Sequence, residues 1–60
     1  MFRVLIVDDH ASFCQELAQL LELGGFGVTG LAGDITQAEQ ILSASPTDLA
    51  IVDVILPGIN

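Results

Sequence analysis

The stretch Leu49-Ala50-Ile51-Val52-Asp53-Val54-Ile55-Leu56-Pro57-Gly58 is an apolar run interrupted by one carboxylate and stopped by Pro-Gly. A short run rich in Val and Ile and bounded by turn residues predicts a strand over about Leu49 to Asp53. Its two apolar faces imply a parallel sheet covered by helices. Asp53 then stands at the carboxyl end of the strand, which is where open α/β sheets bind their ligands. The beginning of the chain has the same form. Arg3 to Val7 is a second apolar run, and it finishes on the acid pair Asp8-Asp9, followed by His10. Side by side in one parallel sheet, the two strands bring three carboxylates to one edge.

The residues between them read as helix, strand, helix. Ser12 with Gln15 three residues on fits a capping box, which makes Ser12 the expected N-cap of the first helix. Phe13, Leu17, Leu20 and Leu21 recur at helical spacing, with Cys14 and Ala18 beside them, and form an apolar stripe wide enough to cover a sheet. Gly24-Gly25 ends that helix, because glycine accepts the left-handed conformation that closes a helix C-terminus. A strand over about Gly27 to Ala32 follows, its β-branched content diluted by Gly27, Gly30 and Gly33. Asp34 or Thr36 then caps a second helix over about Thr36 to Ala44, with Ala38, Ile41 and Leu42 as its inward stripe. Ser45-Pro46 stops it. Strands alternating with helices in this way indicate right-handed βαβ units. The expected fold is α/β, a βαβαβ unit with a three-stranded parallel sheet in order 2-1-3, in which strand one, the most uniformly apolar, is central.

Composition narrows the partners. The chain has 60 residues and a formal net charge of −7, with Arg3 its only Lys or Arg. Nothing is available to neutralise phosphates, so nucleic acid and anionic membrane surfaces are poor partners. No apolar run approaches the roughly 20 residues of a membrane-spanning helix, and Met1 leads into a strand without a secretory signal, so a cytoplasmic location is expected. Cys14 is the only cysteine, which excludes an internal disulfide and argues against a structural zinc. A domain this small buries only about 60% of the surface its unfolded chain exposes, so association or further chain is expected to support it.

Three acids at the end of a sheet suit a hard cation that takes oxygen ligands, and Mg2+ is the natural occupant. Without a cation the carboxylates repel one another, which is expected to raise the pKa of at least one of them. A carboxylate beside Mg2+ can also act as a nucleophile toward a phosphoryl group, giving an acyl phosphate. Each acid taken singly reads first as a helix cap or a solvated turn residue, and it is their joint spacing that points to a site. His10 reads first as a solvated turn residue near anions, with metal ligation as the sharper alternative. Gly25-Phe26-Gly27-Val28-Thr29-Gly30 satisfies the G-x-G-x-x-G pattern of dinucleotide sites. Here, however, it lies between a helix and a strand, the reverse of the order such a site needs. Cys14, on the apolar stripe, reads as a small core residue.

Val7-Asp8-Asp9 at the end of strand one and Val52-Asp53 with Leu56-Pro57-Gly58 at the end of strand three, joined by a βαβαβ pattern, resemble the receiver domain of bacterial response regulators. Val7-Asp8-Asp9-His10 further resembles receivers that precede helix-turn-helix output domains. The resemblance covers the whole chain and implies a flavodoxin-like doubly wound fold. It places Asp53 on the phospho-acceptor aspartate, Asp9 on the acid that binds Mg2+ directly, Asp8 on the acid that acts through a bound water, and the backbone carbonyl of Ile55 on the main-chain metal ligand. It implies a sensor histidine kinase or phosphotransfer protein as partner, and a role as phosphoryl acceptor in place of enzymatic activity. Family receivers continue through a fourth and a fifth strand with their helices, whose hydroxyl and lysine groups touch the phosphoryl oxygens. This chain contains no lysine and reads as the first half of a receiver, residues 1–60 forming one truncated domain. The free edge of strand three, Leu49 to Val54, and apolar surface around Phe13, Cys14 and Leu17 are then expected to be uncovered. That surface favours a homo-oligomer paired along the edge. The alternative function is a self-associating half-domain, an interaction module in which the acids play no chemical part.

Overall fold

The computed structural model describes residues 1–53, and within them the chain runs β1 (Arg3–Val7), α1 (Ala11–Leu23), β2 (Gly27–Ala32), α2 (Ile35–Ala44) and β3 (Leu49–Val52). Both neighbours of β1 are parallel to it, and the sheet order is β2-β1-β3, as the sequence pattern predicts. Period-2 alternation sends successive side chains of β1 to opposite faces. Leu5 and Val7 join Ala32 and Ala38 on the α2 side, where Ile35 and Ile41 pack against them. Val4 and Ile6 join Cys14 on the other side, under Leu17, Ala18 and Leu21 of α1. Covered on both faces, Val4 to Val7 are the most deeply buried large side chains of the described residues.

The pairing of β1 with β2 is not a uniform ladder. Val4 pairs with Val28 and Leu5 with Gly30, so Thr29 is an extra residue on β2 and forms a bulge. Its Oγ1 donates to the Val4 carbonyl at 3.3 Å, which holds the bulge against the central strand. Gly30, next along, is small for a packing reason: a Cβ there would lie 2.8 Å from Cδ1 of Ile41. The glycine that dilutes β2 is what lets α2 approach it.

Both helix ends follow local chemistry. The N–H of Gly25 bonds the Glu22 carbonyl at 3.1 Å and that of Phe26 bonds the Leu21 carbonyl at 3.0 Å. Gly25 stands at φ 92°, which completes the Schellman closure that the Gly-Gly pair predicts. Asp34, of the two candidate caps, is the one used; its side chain accepts from the Gln37 N–H at 2.8 Å.

Five sequence expectations need correction. Ser12 is not the N-cap of α1: the helix begins at Ala11, and His10, in an extended conformation, precedes it without a side-chain cap bond. The buried stripe of α1 is Cys14, Leu17, Ala18 and Leu21, whereas Phe13 and Leu20 are 50% and 66% exposed. They sit one position earlier, roughly 100° round the helix, and so fall on its flank. Cys14, expected among the uncovered groups, is only 2% exposed. Leu42 is exposed on α2, where Ile35 takes an inward place. Finally, β3 is not buried on both faces. The helices pack over β1 and β2, and of the strand's four residues only Ile51 is half-buried. Val54 to Asn60, including Ile55 and Pro57-Gly58, lie outside the described residues.

Candidate functional site

The sheet ladder itself positions the acids. The N–H of Asp8 bonds the Ala32 carbonyl at 2.9 Å, and the N–H of Asp53 bonds the Val7 carbonyl at 2.9 Å, so both residues are the next rungs beyond their strands. Asp8 is fixed by several bonds. Its Oδ1 accepts from the main-chain N–H of His10 at 2.9 Å, the two-residue turn that aspartate forms with its own backbone. The same oxygen lies 2.8 Å from His10 Nδ1, and the Asp8 carbonyl accepts from Cys14 Sγ at 3.3 Å. The Asp8 side chain is 14% exposed, and Asp9, beside it, is more open.

Nδ1 of His10 also lies 3.1 Å from Asp9 Oδ1. Potential ligand atoms of Asp8, Asp9, His10 and Asp53 all fall within 4.8 Å of one another. The structure therefore brings the three predicted acids together and adds His10, which in the sequence reads first as a solvated turn residue and only second as a ligand. The sequence did contain a signal for it. An aspartate two residues before a helix-initiating position folds back onto that residue's N–H, and here the residue is the histidine.

Electrostatics follow from the same contacts. The His10 N–H, then its ring, hold the Asp8 carboxyl below the ordinary carboxylate range. Asp8 is thus not an acid whose pKa rises, because hydrogen bonds to its charged form outweigh the partial desolvation that pushes the other way. The His10 ring is pushed up in turn, first by its bond to Asp8 and then by the charges of Asp9 and Asp8. Burial pushes the Cys14 thiol up, which keeps it protonated and unreactive.

In chemical terms the cluster offers up to three carboxylates and one imidazole at the rim of an open cleft of about 570 Å³ between α1 and β3. Ile6, Phe13 and Ile51 supply its apolar wall. Carboxylate oxygens from two adjacent strand ends fit a hard divalent cation that keeps several waters. Comparison with known proteins agrees with this arrangement. The model of the response regulator receiver domain matches residues 4–60.

The chain belongs to the response regulator receiver domain family. Over 58 residues, this receiver chain is 41% identical to the DNA-binding response regulator MtrA of Mycolicibacterium paratuberculosis, covering 97% of the chain and 25% of that protein. It is 38% identical over 60 residues to a putative transcriptional regulator of Pseudomonas aeruginosa, covering 100% of the chain and 29% of the relative. The transcriptional regulatory protein PdtaR of Mycobacterium tuberculosis is 38% identical over 55 residues, covering 92% and 27% respectively. The receiver chain thus spans about a quarter of the length of these relatives. No solved structure matches it. Among the described residues, no helix is long and apolar enough to cross a membrane.

Proposed function

We propose that Asp53 is the phosphoryl acceptor of a two-component signalling system, with Mg2+ held by Asp8, Asp9 and Asp53 and by the backbone carbonyl of Ile55. The observation that carries this reading is the convergence of the acids at one end of the parallel sheet, within 4.8 Å. In the transfer, a carboxylate oxygen of Asp53 attacks phosphorus in line, and the bond to the donor breaks. The electron pair leaves with the donor, a histidine nitrogen of a sensor kinase or phosphotransfer protein. The cation would neutralise charge on the phosphoryl oxygens. Asp8, pinned by His10 and Cys14, holds its oxygens in place without needing to reorganise, which is how such electrostatic sites act. The response regulator and transcriptional names of the relatives support gene control as the output, through a part of the protein other than this acidic segment.

The test is acid-stable, base-labile labelling from a phosphodonor in the protein that carries this segment. Labelling should require Mg2+ and vanish in Asp53→Asn. Persistence of the label in that variant would sink the assignment. The 60-residue stretch alone should label poorly, since it contains no lysine to touch the phosphoryl oxygens.

A second reading, self-association along β3, is favoured by one observation. Among the described residues β3 pairs only with β1, and Leu49 and Val52 remain exposed beside that open margin. Sedimentation of the 60-residue chain at micromolar concentration should find a dimer or larger species. A folded monomer would remove this reading and leave the first untouched.

A further inference from the structure

His10 is held among the acids by more than adjacency in the chain. Its carbonyl accepts the first main-chain bond of α1, from Cys14 N–H at 3.0 Å, while its own N–H is tied to Asp8 Oδ1 at 2.9 Å. Both ends of the residue are thereby fixed, and the ring turns inward over the carboxylates although its side chain is 72% exposed. An exposed imidazole has open solvent available to it. This one instead has Nδ1 2.8 Å from Asp8 and 3.1 Å from Asp9, inside the cluster that also contains Asp53.

We infer that His10 is a fourth donor of the cation site, and that the mixed oxygen and nitrogen set favours a divalent first-row transition ion, Mn2+ being the probe, over Mg2+. This rests on the reading of Asp8, Asp9 and Asp53 as cation ligands. The chemical reason is the difference between the ions. Mg2+ is hard, takes oxygen ligands and keeps its waters, so a nearby imidazole adds little to its binding. First-row transition ions gain from an imidazole nitrogen, and the gain increases along the series from Mn2+. The neutral ring is the donor, so the proton it shares with Asp8 goes to solvent as the cation binds. A histidine serving only as counter-charge to the acids has the opposite signature, because a cation must then displace it.

The experiment uses the intact protein at mildly alkaline pH, with Mn2+ and Mg2+ as the probes. Electron spin echo modulation of bound Mn2+ should contain a nitrogen coupling that His10→Ala abolishes. The same variant should lower the ratio of Mn2+ to Mg2+ affinity about tenfold or more, mainly through weaker Mn2+ binding. Binding of both ions without nitrogen coupling overturns the inference, as does a His10→Ala variant that binds both ions more tightly in equal proportion. In either case the acids remain a cation site. Absence of binding of both ions, in wild type and variant alike, overturns the cation-site reading and this inference with it.

Discussion

Replacing Gly30 by alanine isolates one contact and asks what it is worth. The added Cβ would stand 2.8 Å from Cδ1, 3.2 Å from Cγ2 and 3.3 Å from Cγ1 of Ile41. Rotation about the outer bond moves only Cδ1. The two γ carbons are fixed by a χ1 that is stiff for a β-branched residue in a helix. α2 must therefore move out by a few tenths of an ångström, or Ile41 must leave its rotamer, and overpacking of this kind costs about 1–3 kcal/mol. Against it stands the restricted unfolded chain, which stabilises a glycine-to-alanine change by about 0.4–1 kcal/mol where the backbone allows alanine. Gly30 does allow it, since Gly25 is the only described glycine with positive φ. The balance is a net loss of about 1 kcal/mol, or a fall of about 4–8 °C in Tm for a domain of this size. Urea unfolding followed by far-ultraviolet circular dichroism is the suitable assay, because the chain has no Trp or Tyr. Ile41→Val removes the nearest carbon, so the double variant should be less destabilised than the two single losses added together, by about 0.5 kcal/mol or more. A stabilised Gly30→Ala, or strictly additive losses, would refute the packing argument.

Three further outcomes are expected. The Asp8–His10 pair contributes stability between two titrations: the part from Asp8 is present above the ordinary carboxylate value of 3.8 and is lost as pH falls through its lower folded value, and the part from His10 is present below 6.5 and is lost as pH rises through its higher folded value. Both groups face solvent, so the effect should be small and weakened by salt; nuclear magnetic resonance titration of the ring should place His10 above 6.5, and a lower value would contradict the geometry. Cys14, 2% exposed with its thiol pushed up by burial, should resist a disulfide reagent in the folded state and react fully in denaturant, whereas rapid native labelling would mean that α1 does not cover it as described. Asp34→Ala should destabilise by about 1 kcal/mol through loss of the α2 cap, and Asp34→Asn should lose much less.

The central place of β1 was legible because Val4 to Val7 form a run apolar on both faces, which suits a strand with helices over both sides, and the alternation of strands and helices implies right-handed crossovers to either side of it. The acids were legible because each follows such a run, and the ladder had to place them at one end. What escaped the sequence depends on neighbours. Leu49 to Val52 look as apolar as β1, and composition does not distinguish a strand covered by helices from one at a margin. Phe13 and Cys14 are adjacent in the chain, and the turn through Asp8 and His10, which sets the phase of α1, decides which of them faces the sheet. The bulge at Thr29 leaves no mark in composition, because it is set by the register between β1 and β2. The role of Gly30 becomes visible only once Ile41 is seen above it.

β3 is a four-residue strand held at both ends by aspartates. Before it, the Asp48 N–H bonds the Arg3 carbonyl at 2.8 Å and the Asp48 side chain accepts from the Arg3 N–H at 2.7 Å; after it, Asp53 closes the last rung on Val7. Among the described elements only β1 packs closely along it. Were the rung between Asp53 and Val7 to open, Asp53 would leave Asp8 and Asp9. A cation bridging these acids would then bridge segments 45 residues apart in the chain and act as a clasp between β1 and β3. Its binding and the closure of β3 become a single equilibrium, in which free cation stabilises the closed sheet in proportion to its concentration over its dissociation constant. Amide hydrogen exchange over Leu49 to Asp53 would register that clasp directly, slowing as divalent ion is added while the exchange of β1 stays unchanged.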